Sequence, residues 1–386
     1  MPDSYRVCTY CVMDTSDPEI TFDASGRCHH CRKAEQKLAE DWRPDQDGEK
    51  MLMAAAEQIR QYGEGRDYDC IVGVSGGVDS SYVLHVAKSV MGLRPLAVHV
   101  DAGWNSEIAV KNIESLITAL DVDLYTHVID WQEMKDLQLA FLRSSVANQD
   151  VPQDHAFEAV LSDYADRNDI RFVITGSNIT SESILPTSWG YDATDVRHLR
   201  GIHDRFGERE LKTFPTMSPY QRLVRWPYLR RITRVAPLDY LDYDKDEAIS
   251  QLERQYGWRY YGRKHGESQW TAFFQAYYLP TKFGFDKRRA HLSSQIVAGQ
   301  VARGDALELL KDPPNDESRV ERDKDYVARK LGIEGAELER LMALPEKSYA
   351  DYPNNARLLA SLRRIRRVMT SPRRQARPVT ADTSHT

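Results

Sequence analysis

One stretch restricts the fold of this chain more than any other. Asp69-Cys70-Ile71-Val72-Gly73 is a short β-branched run that enters Val74-Ser75-Gly76-Gly77-Val78-Asp79-Ser80-Ser81, and helical spacing follows at Val83, Leu84, Ala87, Val90 and Met91. A strand that passes through glycines into a helix is the first half of a strand–helix–strand unit, and such units build parallel sheets covered on both faces. The pattern repeats. Residues 94–103 read as a second strand and 106–121 as a second helix, with apolar positions at 108, 113, 116, 117 and 120. Residues 123–129 read as a third strand and 170–178 as a fourth, after a helical stretch around 154–168. The fold class predicted is α/β, a doubly wound parallel sheet, over 67 to about 180.

The loop itself carries chemistry. Glycines let the backbone approach a ligand closely, and the following helix aims unpaired N–H groups and a positive dipole end at it. Ser75, Ser80 and Ser81 add hydroxyls, so residues 74–81 suit a phosphate or pyrophosphate. The loop lacks the Gly-Lys-Ser/Thr ending of a Walker A loop and is not Gly-x-Gly-x-x-Gly. A plain glycine turn is the bland alternative, and Asp79 inside the loop argues against it.

Cysteine placement bounds the class of protein. Cys8, Cys11, Cys28 and Cys31 lie in the first 31 residues, Cys70 is the fifth, and no thiol follows. Two Cys-x-x-Cys pairs separated by sixteen residues predict a four-thiolate zinc site, structural because no ligand position stays open. His29 or His30 in place of a cysteine, or an iron–sulfur cluster, are the rival readings. Cys70 reads as a small core residue. A secreted disulfide scaffold is excluded by this distribution. No basic n-region precedes an apolar stretch and no run of about 18 apolar residues occurs, so neither a signal peptide nor a membrane insertion is expected and a cytoplasmic location is.

The 386 residues divide into an expected zinc module at 1–35, a helical linker at 36–66, an α/β domain with insertions at 67–265, a mainly helical substrate-facing region at 266–356 and a basic tail at 357–386. Residues 181–265, rich in proline and aromatics, read as loops and short helices, whereas 292–310 has an unbroken helical period. The formal charge of -6 argues against a protein that coats nucleic acid non-specifically. Eight arginines and no acid fall within 357–377, so the remaining chain is at -14.

Ser-Gly-Gly-Val-Asp-Ser resembles the signature of the PP-loop ATP pyrophosphatases. The resemblance implies that residues 74–81 grip pyrophosphate and that Asp79 helps hold Mg²⁺, with Glu182 a further ligand. It also implies that Val100 and Asp101, with Gly176 and Asn178, lie where relatives hold ATP. Four stretches together, 8–31, 75–82, 175–191 and 260–300, resemble the N-acetyl sugar amidotransferases over roughly residues 5 to 350. That family is similar to other amidotransferases in taking ammonia from a separate glutaminase, usually through a cyclase-like subunit. The resemblance implies ATP-dependent, AMP-forming conversion of an acetamido group on a sugar or sugar nucleotide to an acetamidino group, for bacterial surface polysaccharide such as lipopolysaccharide.

Mixed cations beside aromatics suit a sugar nucleotide. Lys264, Glu267, Lys282 and Lys287 are the catalytic candidates with Asp79, while His265, Asp286, Arg288 and Trp189 are the substrate-binding ones; solvated turns, or core packing for Trp189 and Trp270, are the alternatives. Glu267 or His265 is the candidate to take a proton from ammonia. Thiolation is disfavoured by the lack of cysteines after Cys70, and Pro2 stands where an N-terminal glutaminase would place its nucleophile. A tRNA-modifying PP-loop enzyme, supported by the arginine tail, and a zinc-organised ATP sensor are the other readings. A homo-oligomer is compatible with all of them.

Overall fold

The computed structural model describes residues 5–262 and 266–361. Five strands, β1 (Cys70–Gly73), β2 (Pro95–Asp101), β3 (Leu124–Val128), β4 (Phe172–Ile174) and β5 (Thr233–Val235), form one parallel sheet in the order β3-β2-β1-β4-β5. The order reverses between β1 and β4, and open sheets of this kind bind ligands at such a switch point, outside the carboxyl ends of the strands.

Period-two alternation sorts the strand residues into two cores. Cys70, Val72, Ala97 and Ile174 face one side, where α2 (Gln46–Gly63), α3 (Val78–His85), α4 (Glu107–Leu120) and α9 (Lys245–Tyr256) pack. Ile71, Leu96, Val98 and Val173 face the other, beneath α5 (Trp131–Ser144) and α6 (Val151–Arg167). Each fully buried aliphatic side chain contributes roughly 1.5–3 kcal/mol. The second core also takes in the four N-terminal cysteines, which precede α1 (His29–Asp41) or lie at its start, and the C-terminal helices α10 (Gln269–Phe273), α11 (Leu279–Phe283), α12 (Lys287–Val297), α14 (Glu317–Leu331) and α15 (Gly335–Met342).

Two expectations need correction. The segment 181–265 holds β5, the eleven-residue helix α8 (Val196–Phe206), the twelve-residue α9 and a π-helical turn at Gln221–Leu229, besides the short α7 (Ile179–Glu182). The helical period of 292–310 is broken: α12 stops at Val297, Gly299 takes φ +78°, and α13 (Arg303–Leu309) starts anew. A left-handed residue cannot continue an α-helix, whatever the apolar spacing. Among the described residues no helix is long and apolar enough to cross a membrane.

Candidate active site

The glycine loop leaves β1 at the switch point. Gly76 sits at φ +81°, and a Cβ there would lie 2.6 Å from the carbonyl oxygen of Ala109 in α4, so both conformation and space demand glycine. Gly176, just past β4, lies against the first turn of α3, where a Cβ would be 3.0 Å from the Ser80 nitrogen. Two strand ends thus close on one helix N-terminus. Ser75 and Ser80 share a hydroxyl–hydroxyl bond of 3.0 Å, the Ser75 N–H donates to Ser80 Oγ (3.1 Å), and the Ser80 hydroxyl donates to the Gly77 carbonyl (3.2 Å). Val74 and Val78 bury their side chains and can serve a ligand only through the backbone.

Ser81 does not serve as expected. It is 1% exposed, and its Oγ accepts from the Trp258 indole N–H at 3.1 Å, so it packs α3 onto the segment after α9. Asn178 also turns to a structural task. Its Oδ1 caps α7 by accepting from the Thr180 N–H (3.0 Å) and hydroxyl (2.8 Å).

The acidic groups follow the same edge. Asp79, in the first turn of α3, accepts a short hydrogen bond from the Tyr243 hydroxyl, whose own ionisation is pushed far up by burial and by the Asp79 charge. Glu182 ends α7 and accepts from the Asn178 N–H at 3.4 Å. Nearby Asp239 is pushed up to about 7, chiefly by burial, with the Glu182 and Asp41 charges adding to it. Asp79 and Glu182 thus stand on the helices that follow β1 and β4, at the carboxyl edge of the sheet. At the end of β2, Val100 is buried, and Asp101 Oδ1 accepts from the Gly103 N–H (2.7 Å) and from Asn105 Nδ2 (3.0 Å). His99 donates from Nδ1 to the Val74 carbonyl (2.8 Å) and accepts from Asn105 at Nε2 (2.9 Å), which fixes the β2 loop to the root of the glycine loop.

Glu267 reaches this site from far along the chain. The Ser106 N–H donates to the Glu267 carbonyl (2.9 Å) and the Gln269 N–H to the Trp104 carbonyl (2.9 Å), laying 267–269 against the loop after β2. A Cβ added at Gly77 would lie 3.4 Å from the Glu267 carboxyl carbon, so that carboxylate faces the glycine loop. Tyr261 bonds the same carboxylate, and burial together with the Glu267 charge raises its hydroxyl far above the usual range.

The other substrate candidates separate. Lys264 and His265 lie outside the described residues. Lys282 is a structural clamp instead: its ammonium donates to the carbonyls of Met342 (2.7 Å) and Leu344 (2.6 Å), at the C-terminal end of α15 and just beyond it. Asp286 and Arg288 pair with each other (2.7 Å), and Arg288 also holds the Asp312 carbonyl (3.0 Å). Trp189 is fully buried and stacked on Phe285 with centroids 5.3 Å apart, so it is core rather than pocket wall. Trp270 is likewise buried, its indole N–H donating to the Gln149 carbonyl (3.3 Å). Lys287 differs from these. Its ammonium lies deep over the Phe274 ring (5.5 Å), where burial lowers its pKa against the opposing pull of Asp150, Asp154 and Glu182. Sequence reading missed Tyr243, Trp258 and Tyr261, which carry no local signal. It also missed Asp150 and Asp154, whose four-residue spacing at a helix start was a visible one.

The cysteines form a second centre. All four are fully buried and free of disulfides, and their sulfurs lie within 4.8 Å of one another. Neighbouring sulfurs are 3.5, 3.7 and 3.8 Å apart. A tetrahedral ion with metal–sulfur bonds of about 2.3 Å needs about 3.8 Å, so the donor set fits such an ion. Backbone N–H groups of Cys11 (3.4 Å) and Cys28 (3.2 Å) point at the Cys8 sulfur, as suits a thiolate. The knuckle is fastened to the C-terminal helices. Arg303 donates to the carbonyls of Cys8 (2.8 Å) and Cys11 (3.0 Å), Ser293 Oγ accepts from the Val12 N–H (3.2 Å), and Arg289 pairs with Asp14 (3.0 Å).

Comparisons with known proteins add to this geometry. Residues 267–368 match the family model described as LPS biosynthesis protein WbpG-like, C-terminal domain. A GMP synthase [glutamine-hydrolyzing] from Pyrobaculum aerophilum is 32% identical over 110 residues, 28% of this chain, and the chain spans 20% of that protein's length. Among solved structures, an NH3-dependent NAD synthetase from Campylobacter jejuni in complex with the nitrate ion aligns at TM-score 0.29 and 18% identity, covering 54% of this chain and 85% of that one. An NMN synthetase from Francisella tularensis aligns at TM-score 0.26 and 16% identity, covering 60% and 88%. The WbpG-like match begins at the residue that faces the glycine loop, and with the Ser-Gly-Gly-Val-Asp-Ser loop it upholds the resemblance of this chain to the N-acetyl sugar amidotransferases of the PP-loop superfamily.

Proposed function

We propose that this chain is a PP-loop enzyme of lipopolysaccharide or related surface-glycan synthesis that converts an acetamido group of an N-acetylated sugar to an acetamidino group. The observation that carries the reading is the position of Glu267, the first residue of the WbpG-like match, against Gly77 of the glycine loop. ATP and the acceptor sugar then meet in one cleft. An acetamido carbonyl is a poor electrophile. In this reading its oxygen attacks the α-phosphorus of ATP, pyrophosphate leaves, and ammonia displaces AMP from the activated carbon. The N–H groups and hydroxyls of 75–80 grip the pyrophosphate, and the β2 end at Val100 and Asp101 takes the adenosine side. Mg²⁺, held by Asp79 and Glu182, would neutralise phosphate charge. Holding both substrates together supplies much of the acceleration.

The cysteine knuckle is read as a structural zinc site. Residues 67–265 form the ATP-cleaving unit and 266–356 the substrate-facing one, and ammonia comes from a separate glutaminase in the cytoplasm. The test incubates the full chain with ATP, Mg²⁺, ammonium chloride and a panel of acetamido sugar nucleotides. The expected result is AMP plus a product lighter by the difference between an oxygen atom and an NH group, with ¹⁸O from labelled acetamide recovered in AMP. AMP released on adding tRNA, and with no sugar, would overturn the reading in favour of a tRNA-modifying enzyme.

A further inference from the structure

The loop after β2, residues 102–106, holds the segment that carries Glu267 through backbone bonds. The Ser106 N–H donates to the Glu267 carbonyl and the Gln269 N–H to the Trp104 carbonyl, both at 2.9 Å, and Asn105 bridges Ser268 between them. Where Trp104 sits therefore decides where the Glu267 carboxylate starts from. On its other side the loop is tied to β2, since Asn105 Nδ2 donates to Asp101 Oδ1 (3.0 Å) and to His99 Nε2 (2.9 Å).

Trp104 is itself held by rings. It is 1% exposed, yet among the described residues its indole N–H has no hydrogen-bond partner, so no polar bond sets the orientation of the ring. Trp131 of α5 meets it edge-on, with centroids 5.3 Å apart and planes at 76°. Trp270 of α10 lies against it at 5.2 Å and Tyr326 of α14 at 6.4 Å. Gly103 lets the loop press on Trp131: its φ is +81°, and a Cβ there would lie 2.6 Å from Trp131 Cε3. A cation enters this cluster. The Lys330 ammonium stands 5.0 Å from the Trp131 centroid, 5.6 Å from that of Trp104 and 5.7 Å from that of Tyr326, which precedes it by one turn on the same face of α14. Among the described residues it has no carboxylate partner.

Ring faces carry negative charge density and attract an ammonium, more strongly as water is removed. An apolar side chain at 330 would fill the same space without pulling the rings toward one point. We propose that Lys330 is a positioning residue of the active site. By capping Trp104, Trp131 and Tyr326 it locks the loop after β2, and the loop in turn holds Glu267 facing the glycine loop. Both ends of this chain of contacts, Glu267 and Lys330, fall within the WbpG-like match. The use of Glu267 in the reaction rests on the function proposed above, whereas the clamp stands on the contacts alone.

Two measurements on the full chain test it, and the first needs no turnover. Lys330→Met keeps a long side chain over the rings and removes the charge. Hydrogen exchange followed by mass spectrometry should quicken about tenfold at the Ser106 and Gln269 amides of K330M, with β1 and β4 unchanged. Lys330→Arg, which keeps a cation on the rings, should return both amides to within about threefold of wild type. Unchanged exchange at the two amides in K330M, equal quickening in β1 and β4, or no recovery in K330R would each overturn the clamp.

The second measurement follows AMP formed from ATP, Mg²⁺, ammonium chloride and the sugar found active above. K330M should lower kcat about tenfold while KM for ATP stays within about threefold, and K330R should recover most of the loss. Glu267→Gln should lower kcat about 100-fold. Adding K330M to E267Q should then cost less than about threefold more, because a residue that acts through Glu267 has nothing left to position. A full tenfold further loss in the double variant would sink the link to Glu267. Absence of AMP in the wild type with every acetamido sugar would overturn the proposed function instead, and the exchange measurement would still decide the clamp.

Discussion

The cysteine knuckle and the glycine loop are both short turns that gather polar atoms around one point, and they are assembled in opposite ways. The knuckle draws its four sulfurs from Cys8 to Cys31, all fully buried, and distant residues fasten it from outside, through its carbonyls and N–H groups and through Asp14. The glycine loop exposes Ser75 and part of Asp79 and Ser80, and its surroundings come from far away: Tyr243 on Asp79, Trp258 on Ser81, Glu267 beside Gly77 and Gly176 against Ser80. A site that must only hold an ion can be complete within one local segment. A site that must admit two substrates needs walls, and walls come from elsewhere in the chain.

The largest expected effect breaks the self-contained half. Cys28→Ser should release the bound metal, measured as zinc per chain, and lower stability by several kilocalories per mole, because ligand loss forfeits binding energy that is folding energy. Unchanged zinc content in a folded C28S protein would refute the four-sulfur site. Next comes the distributed half. Asp79→Asn should cut AMP formation by about 100-fold or more while leaving the unfolding midpoint within about 1 kcal/mol of wild type. A loss of stability as large as that of C28S would show that the loop, too, is chiefly structural.

Acid should probe the scaffold that holds the distributed half. His155, beside Asp154, is fully buried; its Nδ1 donates to the Ala193 carbonyl (2.9 Å) and its Nε2 accepts from the Met217 N–H (3.1 Å), and burial lowers it to about 4. The unfolded chain titrates near 6.5, so between those values the unfolded state binds more protons. Stability from this group is therefore full above about pH 6.5 and lost as pH falls toward 4, by at most about 3 kcal/mol. Urea unfolding at pH 7 and pH 5 should show the drop, and His155→Gln should flatten it in part, since His198 is lowered to about 4 in the same sense. An identical slope in H155Q would remove His155 from the account. The smallest effect sharpens the comparison. Tyr243→Phe deletes the hydroxyl on Asp79 and should lower AMP formation about tenfold, the equivalent of about 1.4 kcal/mol. No change would mean that Asp79 is positioned without help from afar.

What could be read in advance follows the same division. The four strands carrying β-branched runs, the glycine loop and the cysteine pairs were legible because each is written in consecutive residues. Thr233-Arg234-Val235 is three residues long with two of them polar, too short for periodicity to register, so β5 went unread. Side-chain roles failed where a motif residue met a distant partner. Ser81 turns to Trp258, Lys282 to the carbonyls at the end of α15, and Trp189 to Phe285. Sequence spacing gives the residues that share a face, but it does not give what that face will meet. Asp150 and Asp154 stand four apart at the head of α6, and only the fold places Lys287, more than a hundred residues on, among them.

The fastening of the knuckle to α12 and α13 has a consequence for how the chain is made. Ser293 and Arg303 bond the backbone of Cys8, Cys11 and Val12, so the knuckle has its seat on residues made 281 to 295 positions later in synthesis. At about 5–20 residues per second of synthesis that interval is on the order of tens of seconds. During it the knuckle can gather its four sulfurs but has no surface to close against, and its buried face must wait for residues near 300 to emerge.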